Sequence, residues 1–183
     1  MTFEEVIEAT KNVNALLTEQ NKKTLYHYAN LVPEDGLIID VGTAQGASAF
    51  IMTLAAAPSV KVLTVDPTYP KQDFFTLKRE LDLDKRLFYY QGESKDLAIP
   101  HPIDMIFIDG VHSYNGVRED YEKYAPYVKQ YGIIAFHDCV LYGNTIGAYV
   151  KEIVKNKLVE TVETDLSEWQ DKGPLGLFVG RKI

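Results

Sequence analysis

The chain of 183 residues is 46% hydrophobic and carries 19 Lys and Arg residues against 26 Asp and Glu residues, which gives a net charge of −7. This length allows one substantial hydrophobic core but not two ordinary domains, so we expect a single domain over residues 1–183. The positive residues are scattered, and an acidic surface repels a phosphate backbone, which argues against nucleic acid as a partner.

Three features of the sequence bear on location. No uncharged apolar run reaches the roughly 18 residues needed to span a bilayer. No signal peptide is visible in the acidic N-terminal stretch, and Cys139 is the single cysteine. A single cysteine excludes an internal disulfide and suits a reducing compartment. We therefore expect a cytoplasmic protein without membrane contact.

Residues 1–31 predict a helical segment before the first strand. Thr2 and Glu5 have the spacing of a capping box, and apolar residues continue at helical spacing to Leu17, so one helix is expected over residues 2–17. A second helix is expected over residues 21–30. These helices could cover a ligand, pack on the sheet edge or form the contact of a homodimer.

The stretch LIIDVGTAQGASAF, residues 37–50, predicts a buried parallel strand, a tight turn and the start of a helix. Gly42, Ala44 and Gly46 are small, so backbone amides in this turn can approach a ligand closely. The GxGxxG fingerprint is missing, since Ala44 and Ala47 stand at two of its glycine positions, which argues against a nicotinamide-dependent oxidoreductase. A turn of this kind could also serve packing alone.

Residues 47–91 continue the alternation of helices and strands. The apolar spacing predicts helices over 47–57 and 70–83 and strands over 60–65 and 86–91. Asp66 follows the first of these strands, where a carboxylate can accept hydrogen bonds from both ribose hydroxyls of a nucleoside. Alternatively, it begins a turn with the following proline.

The next stretch repeats the pattern of strand, loop, helix and strand. A nearly continuous apolar run predicts a strand over residues 103–108, and a stripe of apolar residues from Ser113 to Val128 predicts a helix. The run IIAF then predicts a strand over residues 133–136. Both strands are expected to be buried in a parallel sheet.

Polar residues follow both of these strands. Asp109 ends the first and is followed by His112, while His137 and Asp138 end the second. Since the carboxyl ends of parallel strands share one edge, these groups could converge and bind a divalent cation such as Mg²⁺ or Mn²⁺. Other readings remain: Asp109 could contact only a cofactor, His112 could cap the next helix, and His137 with Asp138 could form a turn.

The last forty residues predict a helix capped by Asn144, a strand over residues 158–164 and a final strand over residues 175–180, which close the sheet as an antiparallel hairpin. Tyr142 and Trp169 could line a substrate mouth, although packing at an edge is the commoner role of such residues. Cys139 is expected to act as a small buried apolar residue.

Two stretches resemble the Rossmann-like (class I) S-adenosylmethionine-dependent methyltransferases. The first fits acid-x-Gly-x-Gly-x-Gly with Asp40, Gly42 and Gly46, and only Ala44 departs from it. The second, FIDGVHSYNGVREDYEKYAPYVKQYGIIAFHDC, is similar to a subfamily related to sugar and macrolide O-methyltransferases and to cephalosporin-hydroxylase-like proteins, with Tyr131 at a frequent glycine position. The resemblance implies a three-layer Rossmann-like α/β fold whose seven-stranded sheet is mostly parallel, with an antiparallel C-terminal strand.

The resemblance also implies roles for individual residues. The metal ligands would be Asp109, His137 and Asp138, where His137 departs from the usual acidic or amide residue, and His112 stands at the position of a general base. The residues implied to bind S-adenosylmethionine are Asp40, Gly42, Thr43, Ala44, Gly46, Asp66, Glu93, Ser94 and Asp109.

These observations predict a methyltransferase that modifies a hydroxyl of a small molecule, assisted by a divalent cation. The alternative is a catalytically inactive protein that binds S-adenosylmethionine and regulates a partner. The methyltransferase would convert bound S-adenosylmethionine to S-adenosylhomocysteine, whereas the inactive protein would not.

Overall fold

A computed structural model describes residues 1–99, 102–168 and 173–183 of the chain. The helices are α1 (Phe3–Ala9), α2 (Glu19–Asn30), α3 (Ala47–Ala55), α4 (Gln72–Glu80), α5 (Tyr114–Tyr124) and α6 (Ile146–Lys155). The strands are β1 (Leu37–Val41), β2 (Lys61–Asp66), β3 (Leu87–Gln91), β4 (Ile103–Ile108), β5 (Val128–Phe136), β6 (Val159–Asp165) and β7 (Leu177–Lys182).

The seven strands form one sheet in the order β3-β2-β1-β4-β5-β7-β6. The first five strands of this order run parallel, whereas β7 is antiparallel to both β5 and β6. The sheet order reverses direction between β1 and β4, and in open α/β sheets ligands bind outside the carboxyl ends of the strands at such a point. The expected mixed sheet with an antiparallel C-terminal strand is therefore confirmed.

Helices cover both faces of the sheet because the inner strands are apolar on both sides. On one face Leu25 of α2 and Phe50 of α3 are fully buried in a core shared with Phe107. On the other face Tyr124 of α5 packs in a second core with Phe136. The arrangement is the expected three-layer Rossmann-like fold. Among the residues that the structure describes, no helix combines the length and the apolarity of a membrane span.

Three expected helix boundaries were wrong. Helix α1 ends at Ala9, far short of Leu17, and the remaining apolar residues belong to an irregular segment that packs on the core. Helix α5 ends at Tyr124, because Pro126 lies in a short 3-10 turn and Val128 begins β5. Asn144 does not cap α6, whose N-cap position is occupied by the next residue without a side-chain cap.

Candidate cofactor and metal site

A cavity of about 490 Å³ opens at the carboxyl edge of the parallel strands. Its walls come from the turn after β1, from the ends of β2, β4 and β5, from the loop after β3, and from the irregular segment between α1 and α2. Ten of the residues predicted to bind the cofactor, bind the metal or act in catalysis line it: Gly42, Thr43, Ala44, Asp66, Glu93, Ser94, Asp109, His112, His137 and Asp138. The cavity thus joins most of the predicted site residues.

The glycine turn is set by backbone geometry. Gly42 has φ +102°, and a Cβ added there would lie 2.2 Å from the backbone oxygen of Asp109. This close approach brings the ends of β1 and β4 together. Gly46 has φ +90° and packs against the ring of Phe74, but it does not line the cavity. The structure therefore places Gly46 beside the cavity, where it packs the start of α3 against Phe74.

Asp40 also lies beneath the cavity wall and does not line it. The side chain is fully buried and accepts hydrogen bonds from Thr64 Oγ1 at 2.7 Å and from Ser48 Oγ at 3.1 Å. Burial raises the pKa of the Asp40 carboxyl to about 7, although both hydroxyls oppose this shift. The structure thus places Asp40 below the turn, which it anchors through Ser48 and Thr64.

Asp66 begins the turn considered from the sequence and also borders the cavity, where the ribose role stays a prediction. Its Oδ1 accepts a hydrogen bond from the amide of Thr68 at 2.7 Å, which is the expected turn, and its Oδ2 accepts one from the amide of Ala44 at 3.0 Å. The carboxylate still borders the cavity. Because each carboxylate oxygen has two lone pairs, it can accept ribose hydroxyls in addition.

The loop after β3 is anchored by α5. Ser94 Oγ donates a hydrogen bond to the carboxylate of Asp120, and Tyr124 Oη donates one to the Ser94 backbone oxygen at 2.7 Å. Asp120 is buried and lines the cavity, and Glu93 lies exposed at its rim. The role of Asp120 was missed, although an acidic residue on the buried side of an amphipathic helix is a signal that could have indicated it.

A second part of the wall was also missed. The irregular segment between α1 and α2 contributes residues 14–17, of which Leu17 is buried and Leu16 is exposed. The sequence indicated that the N-terminal region could cover a ligand. It did not indicate that the covering segment would be non-helical.

Asp109, His137 and Asp138 form a compact cluster at the ends of β4 and β5. One ligand atom from each lies within 4.8 Å of the others. His137 Nδ1 is 3.2 Å from Asp109 Oδ1 and 3.4 Å from Asp138 Oδ1. Asp138 has φ +57°, a left-handed conformation that Asp adopts more readily than most non-glycine residues. The predicted convergence of these three residues is what the structure shows.

The mutual charges of the cluster shift its pKa values. Burial raises the pKa of the Asp109 carboxyl, but hydrogen bonding and charge from His112 and His137 outweigh burial, and the pKa lies below its usual value. Burial lowers the pKa of His137, yet the neighbouring Asp109 and Asp138 prevail and the pKa is raised. Burial raises the pKa of Asp138. The two carboxylates thus favour a proton on the His137 imidazole, and a divalent cation could take the place of that proton.

His112 lies at the open side of the cluster. Its Nε2 is 3.5 Å from Asp138 Oδ2 and 3.7 Å from Asp109 Oδ1, and its ring packs at 4.5 Å from the ring of Tyr142. The neighbouring Asp109 carboxylate raises the pKa of His112. Helix α5 is capped by the side chain of Ser113, so the alternative role of His112 as the cap was wrong.

The remaining candidates lie beside the site. Tyr142 borders His112 and is partly exposed, whereas Trp169 lies outside the described residues. Cys139 is buried, and burial raises the pKa of its thiol to about 11, as expected for an inert apolar residue.

The strand order and the cavity at its reversal point define a Rossmann-like α/β domain built to hold a cofactor. A family model described as a methyltransferase domain matches residues 39–139, more than half of the chain. This chain belongs to that methyltransferase family.

One curated relative is the uncharacterised protein R132 of Acanthamoeba polyphaga mimivirus. It is 29% identical over an alignment of 126 positions, which covers 62% of this chain and 57% of that protein. The match thus spans little more than half the length of that relative.

Solved structures share the fold over nearly the whole chain. The O-methyltransferase from Bacillus cereus in complex with S-adenosylhomocysteine has a TM-score of 0.73 at 18% identity, over 99% of this chain and 90% of that chain. The O-methyltransferase TomG from Streptomyces achromogenes, in complex with S-adenosylmethionine, has a TM-score of 0.73 at 14% identity, over 98% and 88%. Cofactor-bound Rv0187 from MTB reaches a TM-score of 0.77 at 14% identity, over 98% and 88%. At these identities the likeness establishes the fold.

Proposed function

We propose that this protein transfers the methyl group of S-adenosylmethionine to a hydroxyl oxygen of a small molecule, with a divalent cation at the cluster of Asp109, His137 and Asp138. The observation that carries the proposal is the shared cavity, which has Asp66 at one part of its wall and the cluster at another. Membership of the methyltransferase family and the ligands of the structural neighbours support the choice of donor.

The donor would lie along the carboxyl ends of β1, β2 and β3. Asp66 would accept hydrogen bonds from the ribose hydroxyls, and the loop of Glu93 and Ser94 would border the base. The segment of residues 14–17 would cover the ligand from solvent. S-adenosylmethionine supplies, when bound, an electrophilic methyl group on a sulfonium.

The residues of the cluster fit a divalent cation. Asp138 Oδ1 is buried and has no hydrogen-bond partner among the described residues, which is costly unless another partner is present. Two carboxylates and an imidazole favour Mn²⁺, Fe²⁺, Co²⁺ or Zn²⁺ over Mg²⁺, which prefers oxygen ligands. Such an ion supplies Lewis acidity that lowers the pKa of a hydroxyl.

His112 is proposed as the general base. Its ring borders the cavity beside both carboxylates, where Nε2 can accept the proton of an acceptor hydroxyl. In the overall reaction an O–CH₃ bond forms, the S–CH₃ bond breaks, the proton passes to His112, and S-adenosylhomocysteine leaves. Holding the acceptor oxygen in line with the methyl group would provide much of the rate.

Calorimetric titration of S-adenosylmethionine tests the donor site. We expect binding by the wild type and at least about tenfold weaker binding by Asp66→Ala, because two hydrogen-bond acceptors are lost. Asp73→Ala is the control, since Asp73 is an exposed acid outside the cavity. Equal affinities of wild type and Asp66→Ala would contradict the proposed site.

Substitution of His112 tests the chemistry separately from binding. With an acceptor found in a panel of hydroxyl compounds, His112→Ala should lower kcat by about 100-fold or more and leave donor affinity within about twofold, as expected for a general base. Unchanged kcat would remove His112 from this role. Donor binding without transfer to any acceptor of a broad panel would favour the inactive binding protein instead.

A further inference from the structure

His137 is held on both edges of its ring. On one edge Nδ1 faces the carboxylates of Asp109 and Asp138. On the other edge Nε2 lies 3.2 Å from Oδ1 of Asn21, near the start of α2. Only 1% of His137 and none of Asn21 is exposed to solvent. The hydrogen bond between the His137 imidazole and Asn21 is therefore shielded from bulk water.

Two neighbours fix the orientation of the Asn21 amide. Nδ2 lies 2.5 Å from Asp165 Oδ2, at the end of β6, and Oδ1 lies 3.2 Å from the backbone amide of Thr18. An ionised carboxylate can only accept a hydrogen bond and a backbone amide can only donate one. Both neighbours therefore require the same orientation, with the carbonyl oxygen toward His137.

Asp165 is itself held in place. Ser167 donates its backbone amide to Asp165 Oδ1 at 2.8 Å and its hydroxyl to Oδ2 at 3.0 Å. The hydroxyl of Thr18 lies 2.5 Å from that of Ser167. The start of α2 and the end of β6 are thus joined by hydrogen bonds directly behind His137.

This arrangement determines which nitrogen of His137 carries a proton. Since the Asn21 oxygen can only accept, the hydrogen bond requires a proton on Nε2 of His137. Nδ1, which faces the cluster, is then the nitrogen left to bind a cation. We propose that Asn21, oriented by Asp165, is a positioning residue that fixes the His137 tautomer and ring so that Nδ1 is presented to the cation; this rests on the proposed function.

The proton position can be tested in the cation-free protein. Long-range ¹H–¹⁵N correlation spectra should show a protonated Nε2 in His137 of the wild type, and this proton should exchange faster in Asn21→Ala because its acceptor is gone. Finding His137 of the wild type protonated at Nδ1 alone would overturn the proposal. This measurement needs no bound cation.

Cation affinity supplies the second readout, with Mn²⁺ as the probe in calorimetry. Asn21→Ala should weaken binding by about 10- to 100-fold, the usual effect of removing an outer partner of a ligating histidine. The double variant Asn21→Asp with Asp165→Asn exchanges the acid and the amide, so an oxygen still faces His137 and the hydrogen bond between positions 21 and 165 is reversed. The Ser167 hydroxyl then accepts from the amide where it donated to the carboxylate. The double variant should keep Mn²⁺ affinity within about threefold of the wild type.

Thr18→Ala is the matched control for helix stability. It removes the hydroxyl that accepts from the backbone amide of Asn21 and that contacts the Ser167 hydroxyl, so it weakens the cap of α2 and its link to Ser167. It leaves the Asn21 side chain hydrogen bonded to Asp165 and beside His137. Its Mn²⁺ affinity should stay within about twofold of the wild type. A loss in Thr18→Ala as large as in Asn21→Ala, or no loss in Asn21→Ala, would overturn the positioning role. Failure of the wild type to bind Mn²⁺ would instead overturn the cation of the proposed function.

Discussion

At the scale of single residues, the site depends on acids whose surroundings give them different tasks. Asp66 keeps access to the cavity while it organises the turn, whereas Asp40 is sealed beneath the turn by Thr64 and Ser48. Two carboxylates at the ends of neighbouring strands thus differ in burial. Half-buried Asp66 borders the cavity, whereas fully buried Asp40 anchors the turn.

Asp40 makes stability depend on pH. Its pKa is about 7 in the folded chain and about 4 in an unfolded one, so the native state binds more protons between these values. The free energy of unfolding contributed by this group must therefore fall as pH rises through that range. Between pH 5 and pH 8, Asp40→Asn should gain on the order of 2 kcal/mol relative to the wild type. Urea unfolding of the cofactor-free proteins at both pH values measures this difference. An identical pH dependence in both proteins would contradict the account.

His137 should set the preference among cations. Replacement by Asn exchanges an imidazole nitrogen for an oxygen ligand, which suits Mg²⁺ better than the transition metals. In His137→Asn the preference for Mn²⁺ over Mg²⁺, measured as the ratio of the two Kd values, should shrink by about tenfold. His27→Asn, on the exposed side of α2, is the control and should keep the wild-type ratio. A ratio unchanged in His137→Asn would exclude imidazole coordination.

At the scale of elements, the ends of β1 and β4 are held unusually close by the glycine turn. Gly42→Ala places a Cβ 2.2 Å from the backbone oxygen of Asp109, so one strand end must move. We expect a loss of about 1–3 kcal/mol in stability and weaker Mn²⁺ binding, because Asp109 moves with its backbone. Both are measured by urea unfolding and calorimetry.

The control variant Gly173→Ala separates the cost of a strained backbone conformation from the cost of a steric clash. Gly173 also has a left-handed φ, +78°, but no described atom lies within 4 Å of the Cβ position. Gly173→Ala should lose only the stability that the strained backbone conformation costs, and it should bind Mn²⁺ as the wild type does. Equal stability and equal Mn²⁺ affinity of the two variants would show that the close approach at Gly42 is unimportant.

The sequence predicted elements well where local rules decide them. A nearly continuous apolar run such as residues 103–108 favours a buried strand between covering layers, and β4 has those bounds. Helix α1 was predicted too long because apolar periodicity also arises when irregular chain packs on a core, as at Leu17. Pro126 is a local breaker that the stripe toward Val128 obscured.

In the site, too, the sequence predicted what local rules decide and missed what packing decides. The convergence of Asp109, His137 and Asp138 followed from the rule that parallel strands end at one edge. The contact of His137 with Asn21 did not, because the two residues are 116 positions apart and lie on elements that no local pattern pairs. Only the packed fold reveals such partners.

At the scale of the whole molecule, the N-terminal helical region and the C-terminal hairpin meet beside the cluster. Asn21 from the N-terminal region and Asp165 from the terminal hairpin are hydrogen bonded beside His137. Residues 14–17, which immediately precede α2, form part of the cavity wall. A ligand that binds only the folded state adds to its stability. Occupation of the cavity should therefore stabilise the packing of the N-terminal region against the C-terminal hairpin.

A crystal structure of the protein with S-adenosylhomocysteine and Mn²⁺ would locate the donor and the cation together. We expect the nucleoside along the ends of β1 to β3, with its ribose hydroxyls on Asp66, and an anomalous Mn²⁺ peak bound by Asp109, His137 and Asp138. A nucleoside bound elsewhere, or a cavity that stays empty at saturating ligand, would contradict this expectation.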